Sequence, residues 1–127
     1  MFNIPKIKDP RGNIGVIEKN IIPFKTNRVY YLYDVPSDAV RGGHAHKKLK
    51  QVLIALSGSF DIILRDSFNE KKITLNKPDK GLLIESGIWR ELENFSAGSV
   101  CLVLASECYD EEDYIRDFET FKEHKKK

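Results

Sequence analysis

Apolar and polar positions alternate with period two along much of the chain, in short runs. In Arg28-Val29-Tyr30-Tyr31-Leu32-Tyr33-Asp34, Val29, Tyr31 and Tyr33 fall on one face and Arg28, Tyr30, Leu32 and Asp34 on the other. In Phe60 to Arg65, the residues Phe60, Ile62 and Leu64 share a face. Turn signals punctuate the sequence, among them Asp9-Pro10-Arg11-Gly12, Pro36-Ser37-Asp38, Arg41-Gly42-Gly43, Ser57-Gly58 and Ser96-Ala97-Gly98-Ser99. The β-branched and aromatic stretches between them predict strands near 14–19, 27–34, 44–47, 50–56, 59–66, 71–75, 81–85, 88–95 and 99–105. So many short strands, with no repeat and no linker, predict an all-β barrel or jelly roll in a single domain over 1–127. The period changes near the end, where Tyr114, Phe118 and Phe121 fall at i, i+4 and i+7 with Ile115 beside them. Asp110, Glu111, Glu112 and Asp113 open this segment, as a helix N-terminus favours. The pattern predicts one C-terminal amphipathic α-helix over about 110–123, packed on the barrel, before a lysine-rich tail at 125–127.

Composition narrows the class. The chain has 127 residues, 41% hydrophobic and 31% charged, which fits neither a disordered nor a membrane protein. The longest apolar run, Val100 to Ala105, is six residues, against the about 20 of a spanning helix. The start, MFNIPKIKDP, has no signal-peptide core. Cys101 and Cys108 do not make a disulfide framework, and Cys101 reads as a core thiol. These features predict a cytoplasmic protein that does not bind membranes. A net charge of +2 argues against a general nucleic-acid binder. The charge is uneven, however: residues 1–50 carry +6 and residues 51–127 carry −4. The basic half suits a small anionic ligand.

Two of the three histidines are His44 and His46. Positions i and i+2 of a strand point the same way, so the two imidazoles share a face, as metal ligands or acid/base groups. His124 lies in the lysine-rich tail and is read as solvated.

Gly43-His44-Ala45-His46, then Gln51, then Gly58 resemble the first cupin motif, and Gly87-Ile88-Trp89-Arg90 with Asn94 the second. The cupin pattern has Glu where this chain has Gln51 and His where it has Arg90. Gln is a weak ligand, and Arg stays protonated and repels a cation. The resemblance is therefore to a cupin that has abandoned its metal, with no cofactor expected. A longer resemblance covers nearly the whole chain, from about Ile7 to Phe121. Arg28-Val29-Tyr30-Tyr31, Arg41-Gly42-Gly43-His44-Ala45-His46-Lys47, Ile88-Trp89-Arg90-Glu91 and Tyr109 to Arg116 are similar to the sugar 3,4-ketoisomerases acting on dTDP-4-keto-6-deoxy-D-glucose. That resemblance implies a metal-free cupin jelly roll. It implies a homodimer that exchanges N-terminal strands, and a role in making 3-amino-3,6-dideoxy sugars for surface glycans such as lipopolysaccharide. Members with an Arg near position 11 carry a His in the second motif and form galacto products, whereas gluco-forming members carry Tyr and Arg. Here Arg11 and Arg90 are mixed, and Arg90 leans to gluco.

Moving a ketone from C4 to C3 needs a base for the C3 proton, an acid for C4 and a stabiliser for the enediolate between them. His46 is the first candidate for the base, with His44 as its partner in proton transfer or orientation. Arg90 is the candidate for holding the oxyanion, and Tyr31 and Tyr33 for bonding sugar oxygens or relaying protons. Arg41, then Arg28, suit the diphosphate, because an arginine fork pairs bidentately with phosphate oxygens. Arg11 would enter a partner's site in an exchanged dimer. Tyr30 or Trp89 could stack on the base, although Trp89 faces away from Arg90 and reads as core. Lys47 adds positive charge next to the histidines, although with Lys48 and Lys50 it also reads as a solvated edge. The competing functions are a metal-free cupin 3,5-epimerase, a non-catalytic sugar-nucleotide-binding cupin and, least supported, a metal-dependent oxygenase.

Overall fold

The structure is a computed structural model that describes residues 1–126. Twelve strands run along the chain: β1 (Phe2–Asn3), β2 (Lys6–Ile7), β3 (Ile14–Gly15), β4 (Arg28–Leu32), β5 (Arg41–His46), β6 (Gln51–Ser57), β7 (Phe60–Arg65), β8 (Glu70–Leu75), β9 (Lys80–Ile84), β10 (Trp89–Glu93), β11 (Val100–Ala105) and β12 (Tyr114–Ile115). One helix, α1 (Phe118–Lys125), follows them. The strands form two five-stranded antiparallel sheets, in the orders β1-β9-β6-β11-β4 and β12-β5-β10-β7-β8. A two-stranded ribbon, β2-β3, stands apart. This is the all-β jelly roll that the turn spacing predicted.

The main core lies between the sheets. Leu53, Ala55, Phe60, Ile62, Leu82, Leu92 and Val103 meet there, each at most 5% exposed. β6 shows why its sequence reads as a continuous apolar run. Leu53 and Ala55 face this core, while Val52 and Ile54 face a second cluster with Ile4, Ile22 and Leu104. The N-terminal segment therefore covers the outer face of the first sheet, and both faces of β6 are buried. Covering the outer face of the second sheet, Phe121 of α1 is fully buried with Ala45, Trp89 and Ile115. Trp89 is thus a core residue on the opposite side of β10 from Arg90.

The expected helix over 110–123 is corrected. The acidic stretch forms a single 3-10 turn, Glu111–Asp113, capped by the Asp110 carboxylate on the Glu112 N–H. The chain then pairs with β5, Tyr114 opposite His46 and Ile115 opposite Ala45. Only at Asp117, whose carboxylate accepts from Thr120 N at 3.0 Å, does a helix begin. The i, i+4, i+7 pattern joined a strand residue to two helical ones. Pairing β12 closes the edge of β5 and buries Ile115, while period two turns Tyr114 to the other face. The expectation for the tail falls partly on α1, which includes Lys125, and on Lys126 at its C-cap. Lys127 lies outside the described residues. Among the described residues no helix is long and apolar enough to cross a membrane.

Candidate active site

A cavity of about 370 Å³ opens between the two sheets at one end of the sandwich. The first sheet contributes Arg28 and Tyr30 from β4 and Gln51 from β6. The second contributes Arg41, Gly42 and His44 from β5, Arg90 from β10 and Tyr114 from β12, with Arg116 just beyond. Alternation along β4 explains its share: Arg28, Tyr30 and Leu32 turn in, and Val29, Tyr31 and Tyr33 turn out.

His44 sits opposite Arg90 in the β5–β10 register. Its Nδ1 meets the carbonyl of Gly42. A carbonyl only accepts, so Nδ1 carries the proton and Nε2 keeps its lone pair. Nε2 is buried and has no partner among the described residues. Gly42 reaches this position with φ +95°, where a Cβ would come within 3.2 Å of the Arg90 carbonyl oxygen. His46 lies behind His44, fully buried, with ring centroids 4.7 Å apart. It packs against the Tyr114 ring at 4.4 Å, and its Nδ1 is 3.4 Å from the Asp113 carboxylate, too poorly aligned for a hydrogen bond. That carboxylate accepts from Lys48 N at 2.8 Å and Leu49 N at 3.2 Å, which fixes the turn after β5.

Arg90 is 1% exposed. Its Nη1 donates to Gln51 Oε1 at 2.5 Å, and its Nη2 and Nε donate to the Ile88 carbonyl at 3.0 and 3.3 Å. Burial lowers its pKa to about 10, which leaves it protonated at neutral pH. Burial first, and the Arg90 charge second, pull His44 down to about 4 and His46 to about 2. Both imidazoles are therefore neutral at pH 7 and able to accept a proton. Tyr30 is shifted up, mainly by burial.

The remaining charge is positive. Among the described residues no carboxylate lines the cavity. Arg116 is held bidentately by Glu111 at 2.6 and 2.8 Å, and that pairing brings Glu111 to about 2. Arg28 lies over the Tyr30 ring at 4.4 Å, and its buried Nη1 has no hydrogen-bond partner among the described residues. Neither Arg28 nor Arg41 is in an ion pair among the described residues. A cleft lined by free guanidinium groups suits an anion with several oxygens, such as a diphosphate.

A cupin metal does not fit this donor set. Of the four motif positions, only His44 and His46 are good ligands; Gln51 is a weak one, and its carbonyl oxygen is already bonded to the fourth, Arg90. A fixed buried cation stands where a metal would have to enter, so no step is routed through one.

The structure brings together His44, Arg90, Arg41, Arg28 and Tyr30 and places four other expected residues, His46, Tyr31, Tyr33 and Lys47, differently. His46 is second in line rather than at the cavity wall. Tyr31 and Tyr33 are corrected: Tyr31 sits on the outward face of β4 and Tyr33 just past its end, 60% and 62% exposed. Alternation divided the faces rightly, but which one is inside depends on the sheet opposite. Lys47 lies past the end of β5, exposed and away from the cavity. Arg11 is at the turn of the β2–β3 ribbon, paired to Asp9 at 2.9 Å, and reaches no site within its own chain. Tyr114 and Arg116 were missed as site residues. Their signal was the alternation of Tyr114 and Arg116 about buried Ile115, a strand pattern inside a stretch taken for helix.

Residues 1–126 match the family model described as FdtA, "WxcM-like, C-terminal". A TDP-4-oxo-6-deoxy-alpha-D-glucose-3,4-oxoisomerase from Aneurinibacillus thermoaerophilus is 46% identical over 98% of this chain and 90% of the relative. The QdtA sugar 3,4-ketoisomerase from Thermoanaerobacterium thermosaccharolyticum, solved in complex with TDP, superposes with a TM-score of 0.95 at 48% identity, covering 98% of this chain and 91% of that one. The WlaRB TDP-quinovose 3,4-ketoisomerase from Campylobacter jejuni superposes at 0.90 with 50% identity, over 95% and 94% of the two chains. The extent of these matches, on a cavity with a neutral histidine pair beside a buried arginine, shows that the chain belongs to the TDP-4-keto-6-deoxyglucose 3,4-ketoisomerase family and is an isomerase.

Proposed function

We propose that the chain converts TDP-4-keto-6-deoxy-D-glucose into a TDP-3-keto-6-deoxyhexose by proton transfer through an enediolate. The observation that carries this reading is His44, which lines the cavity with Nδ1 tied to the Gly42 carbonyl, a buried Nε2 with no partner among the described residues, and the protonated Arg90 beside it. His44 Nε2 takes the proton from C3, the C3–H electron pair forms the C3=C4 bond, and the C4 carbonyl oxygen becomes an oxyanion facing Arg90. The O3 hydroxyl proton then passes to the O4 oxyanion, C3 becomes the ketone, and the C3=C4 electron pair takes a proton at C4 from the His44 imidazolium. No atom or electron leaves the sugar. His46, buried behind His44, packs edge-on against its ring at 4.7 Å and holds its orientation. The low pKa of His44 in the free protein is set first by burial and then by Arg90, and a bound anion offsets the second of these and raises its basicity.

Arg28, Arg41 and Arg116 take the diphosphate, and the Tyr30 hydroxyl bonds a sugar oxygen. The product is assigned the gluco configuration, supported by Arg90 and by the similarity to a TDP-quinovose enzyme. A homodimer with exchanged N-terminal strands is supported by exposed apolar residues on two elements: Ile7 and Ile14 on the ribbon, and Val29 and Tyr31 on the outer face of β4 with Tyr33 just past its end. In it, Arg11 enters the second copy's site. The reaction belongs to cytoplasmic synthesis of 3-amino-3,6-dideoxy sugars for surface glycans, and the free thiols Cys101 and Cys108 suit a reducing compartment.

The test is proton NMR of the chelator-treated protein with TDP-4-keto-6-deoxyglucose in deuterated water. A 3-keto sugar with deuterium at C4 is expected, its couplings giving the C4 configuration. Exchange at C3 and C5 with the ketone unmoved would mean a 3,5-epimerase instead. TDP binding with no exchange would leave a binding protein.

A further inference from the structure

Gln51 opens β6 in the first sheet and is 3% exposed. Its side chain crosses to the other sheet: Oε1 accepts from Arg90 Nη1 at 2.5 Å, while Nε2 donates to the Tyr30 hydroxyl at 2.9 Å. Chemistry alone fixes which end of the amide faces which partner. A guanidinium has five N–H groups and no acceptor, so only the carbonyl end can face Arg90. The NH2 end is left for Tyr30, whose oxygen must accept. A phenol has a single O–H. With its oxygen occupied by the Gln51 donor, that proton is turned away from Gln51. Tyr30 lines the cavity, and Arg28, over its ring, offers no acceptor. The proton is left to whatever occupies the cavity.

We propose that Gln51 is a positioning residue that sets the polarity of the hydrogen bond Tyr30 makes to substrate, so that Tyr30 meets the reacting oxygen as a donor. The inference rests on the ketoisomerase reading above and adds a residue to it. It also explains why an amide stands at this position. Glutamate has nearly the same shape, but its carboxylate only accepts. It would draw the Tyr30 proton to itself and turn the phenol's lone pairs toward the developing oxyanion. The geometry at Arg90 would survive, and the interaction at Tyr30 would change from attraction to repulsion.

The experiment measures steady-state isomerisation of TDP-4-keto-6-deoxyglucose by Gln51→Glu, in the natural chain and in a Tyr30→Phe background, with TDP affinity by calorimetry alongside. The expected result is a kcat loss of about 10–100-fold for Gln51→Glu in the natural chain, with KM and TDP affinity within about twofold. In the Tyr30→Phe background the same substitution should cost less than about threefold, because the group it acts through is gone. Equal factors in the two backgrounds, or a loss carried by KM, would overturn the proposal. If Gln51→Glu does not fold, Gln51→Leu in both backgrounds faces the same criterion, since it frees the phenol to rotate. A natural chain that does not isomerise this sugar defeats the ketoisomerase reading itself. A natural chain that does, with background-independent losses, defeats only the role of Gln51.

Discussion

Replacing Arg90 with methionine separates what this side chain does for the fold from what it does for the reaction. The guanidinium is 1% exposed and holds Gln51 Oε1 and the Ile88 carbonyl. Methionine is of similar length and apolar. The substitution strands one buried acceptor, Gln51 Oε1, and one part-buried acceptor, the Ile88 carbonyl, at about 1–3 kcal/mol each or less. It also removes the desolvation cost of a buried ion, several kcal/mol in the opposite direction. The two effects are of one size, so the variant should fold with a stability within about 2 kcal/mol of the natural chain. The reaction has no such offset. In the proposed mechanism Arg90 faces the developing oxyanion, and a charged donor in that role contributes about 2.7–4 kcal/mol, so kcat should fall about 10²–10³-fold. The histidines should respond as well, because Arg90 is the second cause, after burial, of the depression of both. Their imidazole resonances should titrate at higher pH in the variant. Initial rates of 3-keto sugar formation by proton NMR, with urea unfolding in parallel, decide the matter. A folded Arg90→Met protein whose kcat stays within about threefold of the natural chain would refute the oxyanion role. An unfolded one would refute the compensation.

Acid should weaken the fold before it touches the carboxylates. His44 and His46 titrate near 4 and 2 in the folded protein but near 6.5 when unfolded, so their contribution is intact above pH 6.5 and is lost as pH falls, because the unfolded chain binds the protons first. Between pH 7 and pH 5 the loss is on the order of 2 kcal/mol per histidine, and an unchanged urea midpoint would contradict it. Gly42→Ala should destabilise by about 1–3 kcal/mol and lower kcat, because alanine resists φ +95° and its Cβ would press on the Arg90 carbonyl at 3.2 Å. Thermal unfolding and turnover check it, and an unmoved Tm counts against it. Arg28→Met should weaken TDP binding about 10–100-fold in calorimetry, the worth of one charge-assisted contact, and an unaltered Kd would remove Arg28 from the diphosphate site.

The sequence made the strands legible because the solvent imposes its pattern on them directly. β7 and β10 fall within the stretches that alternation and turn residues predicted. What failed was whatever depended on a distant neighbour. Nothing local to Tyr114 says that it will pair with His46, so a strand and a helix merged into one helical stripe. The same pairing covers His46, which explains why the depth order of the two histidines was hidden although their shared face was not. In β4 the two faces were read correctly, yet the inward one could be known only once β5 and β10 lay across from it. Gln51 was seen as a missing metal ligand. Its hydrogen bonds to Arg90 and Tyr30 appear only when the two sheets close.

The Gln51–Arg90 bond also bears on how the molecule comes apart. It joins the first sheet to the second at the buried end of the cavity, where both partners are at most 3% exposed. Splaying the sandwich there would break a charge-assisted bond in a place where water does not replace it at once. The cavity end of the molecule should therefore open only with global unfolding, unlike sites built on loops that open well below the global unfolding free energy. On slow heating, activity should vanish with the last native structure and not ahead of it, and amide exchange at β6 and β10 should proceed only through whole-molecule unfolding.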